Sequence, residues 1–98
     1  MMTPDRRYST YRSALAGLDL PAAFVDLGAF DRNVARVREL LAGQRVTLRI
    51  GSKSVRCVAI LRRIAEALGD RAKGVLAFTA AEAEFLVSKG FQIGRAHV

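Results

Sequence analysis

The run Arg45-Val-Thr-Leu-Arg-Ile-Gly-Ser-Lys-Ser-Val-Arg56 changes its apolar period halfway, and that change constrains the fold more than any other feature of the chain. Val46, Leu48 and Ile50 alternate with Arg45, Thr47 and Arg49, a period of two that predicts a β-strand with unlike faces. Gly51 and Ser52 break the alternation. From Val55 onward Cys57, Leu61, Ile64 and Leu68 follow helical spacing, up to a stop at Gly69. Arg56 falls in the first turn of this predicted helix, and Cys57 on its apolar side, where a packed thiol is expected.

The same switch is written on either side. Residues 22–27 read as a compact apolar strand with Asp26 near its end. From 28 to 42, Phe30, Val34, Val37 and Leu41 form one helical stripe. Gly28 is a tolerable N-cap there, Asp31 suits the positive end of the helix dipole, and Gly43 supplies a left-handed stop. Residues 74–78 read as a third strand. Thr79 with Glu82 forms a capping box that opens a last helix, closed by Gly90. That structural role for Glu82 argues against a catalytic acid. Residues 1–18 lack strong periodicity and read as an arm or loose helix. Strands alternating with helices predict βα units and a parallel sheet, the α/β class.

Lys53 stands where the second strand gives way to its helix. In parallel α/β folds that C-terminal strand end is where chemistry collects. By parity Lys53 points with Thr47, Arg49 and Gly51, away from the apolar residues that face the helices. An amine held among polar groups at a strand end is a candidate Schiff-base nucleophile. A phosphate loop is excluded, because Ser52 rather than Gly precedes Lys53 and no glycine stands at the required upstream distance.

Three segments carry a family resemblance. Leu20-Pro-Ala-Ala-Phe-Val-Asp-Leu-Gly-Ala-Phe-Asp-Arg-Asn33 resembles the opening segment of the alanine racemase-like, fold-type III pyridoxal phosphate enzymes. Arg49-Ile-Gly-Ser-Lys-Ser-Val-Arg56 is similar to the cofactor-lysine strand of their amino acid deaminase/aldolase branch, related to D-threonine aldolases and D-serine dehydratases. Gly74-Val-Leu-Ala-Phe-Thr-Ala-Ala-Glu-Ala83 resembles that branch's second barrel strand and following helix. The resemblance implies a pyridoxal 5'-phosphate-binding (β/α)8 barrel, of which this chain holds a truncated N-terminal part. It implies Lys53 as the catalytic lysine that carries the cofactor. Arg49 matches a recurrent arginine of the branch, either inside the barrel with the cofactor or reaching solvent at its mouth. Thr79 ends the next strand at the cofactor face, where its capping duty also explains it. Arg56 matches the motif as well.

The implied function is a lyase or deaminase acting on a small amino acid substrate, with a racemase of the same fold, or an inactive barrel fragment without catalysis, as the other readings. A divalent metal would be held by residues outside this stretch, and pairing of barrels implies a homodimer of the full-length protein. The related aldolases and dehydratases follow their lysine with Thr-His. Ser54-Val55 here points to the deaminase/aldolase branch.

Ile93-Gly-Arg-Ala-His-Val98 is what ATC GGA AGA GCA CAC GTC encodes, and that DNA is a common short-read sequencing adapter. Residues 93–98 are therefore expected to be a scar outside the fold. Excluding them removes the only histidine, His97, and lowers the formal charge of +7 by one. The expected organisation is an N-terminal extension over 1–18, a partial barrel over 19–92 and the scar.

Composition narrows the partners. With 51% hydrophobic and 26% charged residues the chain reads as globular rather than disordered. The positive balance could signal nucleic acid, yet the arginines are dispersed among acids, as Arg32, Arg36 and Arg38 are among Asp31 and Glu39. Both tyrosines sit near the start, which leaves no stacking platform for bases. No apolar run approaches a membrane span and no apolar leader follows the basic start, so the expectation is no nucleic acid, no membrane and a cytoplasmic location. Cys57 is the sole cysteine, which suits a reducing compartment. With one doubtful histidine it builds no metal site, carboxylates alone remaining as weak ligands.

Overall fold

The computed structural model describes residues 2–96. It is a mixed α/β arrangement: α1 (Pro4–Leu15), α2 (Leu27–Leu41), β1 (Leu48–Gly51), α3 (Val58–Leu68), a 3₁₀ turn (Gly69–Arg71), β2 (Ala72–Ala77), α4 (Ala80–Ser88) and β3 (Ile93–Ala96). The strands form one parallel sheet in the order β1-β2-β3. Both crossovers step the same way, and parallel crossovers share one hand, so α3 and α4 fall on the same face. The packing follows. Ile50 of β1, Leu61 of α3, Val75 of β2 and Leu86 of α4 form the buried cluster, with Val58, Ile64, Phe91 and Ile93 against it. On the opposite face Leu76 and Phe78 keep 41% and 38% of their surface exposed.

β2 is irregular at Gly74, which adopts a positive φ of 75° while the register shifts on both sides of the strand. A β-carbon there would stand 2.6 Å from the backbone nitrogen of Gly94, so only glycine lets β3 approach.

Several local expectations need correction. Residues 22–26 form no strand. Asp26 instead caps α2: its Oδ1 accepts from the Ala29 N–H at 3.0 Å, displacing Gly28 from that role. A strand needs a ladder partner, and this stretch finds none on the outer edge of β1. β1 itself begins only at Leu48, and Val46 is left half-exposed before it. Arg71 donates to the carbonyls of Gln44 (2.6 Å) and Val46 (3.0 Å), satisfying part of that lead-in without a strand. α3 starts at Val58, later than its spacing suggested, so Cys57 is its exposed N-cap residue rather than a packed thiol. Arg56 precedes the helix rather than lying in its first turn. Residues 93–96, expected outside the fold, pair with β2. His97 and Val98, the end of the expected scar, lie outside the described residues.

Gly43 takes the left-handed conformation expected of it, with φ 78°. Asp31 does more than favour the helix dipole, because Arg63 of α3 donates to both its oxygens at 2.8 and 2.7 Å. This charged fork lowers the Asp31 carboxyl below its usual range and ties α2 to α3. Below it the stripe Phe30, Val34 and Val37 remains half-buried, facing β1 across an open cleft of about 400 Å³.

α1 joins the rest through its side chains. Thr3 caps it, and Tyr11 donates to Asp26 Oδ2 at 2.6 Å while its ring lies 5.0 Å from that of Phe24. Asp26 therefore holds two helices at once. Its carboxyl is lowered by the Tyr11 hydroxyl and then the Ala29 N–H, and the Tyr11 phenol is raised by the same bond. A lowered carboxyl contributes stability above the usual carboxylate range and loses it as pH falls through the folded value. A raised phenol contributes below the usual phenol range and loses it as pH rises. The docking of α1 is thus expected to persist through neutral pH and to fail at both ends. Tyr11→Phe is expected to abolish the alkaline limb, read from the Ala29 amide signal in an NMR titration. An identical titration in the variant counts against the latch.

Among the described residues, seven buried apolar side chains form the core. The radius of gyration is 16.0 Å, against about 13 Å for a well-packed chain of about 100 residues. Among the described residues one sheet face carries no helix and both outer strand edges are unpaired, so the isolated 98-residue chain is expected to show no cooperative thermal unfolding as a monomer. A sharp monomeric transition by circular dichroism would contradict this.

Candidate functional site

The C-terminal ends of β1 and β2 carry the residues of interest. After Gly51 the chain turns through residues 52–54, and the strand alternation persists into the turn. Ser52 points to the helix side and is 1% exposed, while Lys53 is exposed on the other. Ser52 is doubly fastened. Its N–H donates to the Leu76 carbonyl at 3.1 Å, extending the pairing of β1 with β2, and its hydroxyl donates to Glu82 Oε1.

This gives Glu82 a role that differs from the capping box. The forward half exists, since Thr79 Oγ1 accepts from the Glu82 N–H at 3.1 Å. The Glu82 carboxylate, however, turns to Ser52 across the strand-helix interface. Thr79, expected near the cofactor, spends its hydroxyl oxygen on the helix cap.

Lys53 makes no ion pair among the described residues. Its Nζ lies 4.7 Å above the centroid of the Phe78 ring, and the guanidinium carbon of Arg56 lies 5.7 Å from the same centroid. Two cations from the loop after β1 therefore converge on one aromatic ring at the end of β2. The parity of Lys53 and Phe78 puts both on the face that no helix covers, opposite Ile50 and Val75. Arg49 lies on this face too. Its stem crosses to β3, where a β-carbon on Gly94 would come within 2.8 Å of Arg49 Cδ. The missing side chain of Gly94 is the room that Arg49 uses.

Sequence reasoning placed Lys53 and Arg49 together and kept Thr79 beside them; it missed Phe78 and Arg56 as partners of the lysine. A signal for Phe78 existed. It ends the neighbouring parallel strand with the same parity as Lys53, and parallel neighbours bring equivalent strand ends together. Among the described residues no group of three or more histidine, cysteine or acidic side chains is arranged to hold a metal ion, and no helix is long and apolar enough to cross a membrane. No family model, curated protein or solved structure matches the chain.

The Ser52–Glu82 bond fastens the turn that presents Lys53. Ser52→Ala leaves a half-buried carboxylate without its donor, a loss worth about 1–3 kcal/mol. Amides of the 52–54 turn and the first turn of α4 are expected to exchange about ten-fold faster in the variant. Unchanged protection would show that the bond fastens nothing.

Proposed function

We propose that this chain is the N-terminal part of a fold-type III, alanine racemase-like barrel, and that the whole protein is a pyridoxal phosphate-dependent lyase or deaminase acting on a small amino acid. One observation carries the reading: a lysine amine without an ion pair among the described residues stands at the C-terminal end of a parallel strand, on the sheet face that no described helix covers. Helices confined to one face are what a closing (β/α)8 barrel requires, and its interior at the C-terminal strand ends is where such barrels react. A complete barrel takes about 250 residues, so further βα units would cover the bare face and the two edges.

The residues present fit the cofactor. Lys53 would hold pyridoxal phosphate, which when bound would supply an aldehyde carbon and an electron-drawing ring. Lys53 Nζ is exposed to receive it. Once freed, the same nitrogen can take a proton from the substrate or return one. Arg49 and Arg56 add positive charge that suits an anionic cofactor and a substrate carboxylate. Phe78 adds an apolar wall beside them. The residues that would choose which bond to the α-carbon breaks belong to later strands.

The test is reductive trapping on the full-length protein. Borohydride treatment with pyridoxal phosphate is expected to fix one phosphopyridoxyl group on Lys53, and Lys53→Ala to remove it. Full trapping in Lys53→Ala would overturn the site. No trapping in the wild type would favour an inert barrel fragment. With a loaded protein, incubation with D- and L-serine and threonine is expected to release a keto acid or an aldehyde.

A further inference from the structure

We infer that Phe78 is a positioning residue for Lys53: its ring holds the ammonium by a cation–π contact at the C-terminal strand ends. The inference goes beyond the proposed function, and its first readout needs no cofactor. The ring face carries the negative part of the aromatic quadrupole, and a cation within about 6 Å of the centroid is attracted to it. Lys53 Nζ is at 4.7 Å. No carboxylate pairs with this amine among the described residues, so the ring takes the place a counter-ion would otherwise fill.

The contact is built by the fold. Lys53 belongs to the turn after β1 and Phe78 to the residue after β2, 25 positions apart in the sequence and adjacent only because the two strands are parallel neighbours. Ser52 fixes the turn from below through Glu82, so the Lys53 backbone cannot swing freely away from the ring. Arg56 reaches the same ring at 5.7 Å and adds a second positive charge beside Lys53. An amine held this way stays over the ring until something displaces it. A flat, electron-poor aromatic aldehyde has the chemistry to do so, because it can stack on Phe78 while its carbonyl meets the released amine.

The experiment measures acylation of each lysine in the complete protein by a small succinimidyl ester, read by mass spectrometry. Lys73 is exposed and has no aromatic partner among the described residues, so it serves as the internal reference. Phe78→Leu is expected to raise the Lys53 rate relative to Lys73 by about two- to five-fold, the size expected for an exposed cation–π contact. Phe78→Tyr is expected to restore the wild-type ratio. Since Phe78→Leu could also loosen the fold, a second series replaces Phe78 by mono-, di- and trifluorophenylalanine, which keeps the shape and weakens the quadrupole stepwise. The relative Lys53 rate is expected to climb with each fluorine. A flat series, or a rise shared equally by Lys73, overturns the inference. A wild type that traps no pyridoxal phosphate yet shows the graded series keeps the ring contact and removes only the proposed function.

Discussion

The arrangement of the whole molecule depends on one constraint, that both parallel crossovers step in the same direction across the sheet. Because crossovers share a hand, this places α3 and α4 on one face and gives the core a single side to fill. Ile50, Leu61, Val75 and Leu86 meet there. Everything polar or aromatic at the opposite parity is left facing away from the helices. Which residues face away from α3 and α4 is thus a direct consequence of topology, and Arg49, Lys53, Leu76 and Phe78 share that face for this reason.

The pleat then does the fine placement. Successive residues point to opposite faces, so burying Ser52 against Glu82 presents Lys53 on the other side. A one-residue slip of β1 would exchange them, burying an amine and exposing a hydroxyl, and burial of an unpaired charge makes that register costly. The Ser52–Glu82 bond and the Ser52–Leu76 backbone pair therefore specify the position of the lysine as much as they stabilise the turn. Irregularity is tolerated where side chains are absent: the bulge at Gly74 and the missing side chain of Gly94 let β3 and the Arg49 stem come close.

Elsewhere the packing is thinner. α1 is fully outside the core and depends on Tyr11, whose hydroxyl shares the Asp26 carboxylate with the first turn of α2. α2 is tied to α3 by the Asp31–Arg63 fork while its apolar stripe faces an open cleft. The first contact is part-buried and the second exposed, and such polar contacts hold geometry without contributing much stability. Much apolar surface on α2 is therefore left half-covered.

Local pattern by itself determined the strand-to-helix switches after β1 and β2, the stops at Gly43 and Gly69, the cap at Thr79 and the face on which Lys53 and Arg49 lie. These follow from periodicity and from backbone preferences that neighbouring residues suffice to set. Only the tertiary structure decided the rest. The apolar run 22–26 stays unpaired because a strand exists only with a ladder partner, and Asp26 is drawn into capping α2 and accepting from Tyr11. Cys57 is exposed because the turn that fastens Ser52 delays the start of α3. Glu82 leaves its capping box for Ser52, and Lys53 meets Phe78, because parallel pairing brings together strand ends that are remote along the chain. Contacts between distant residues depend on how strands are ordered in space, and no local pattern encodes that order.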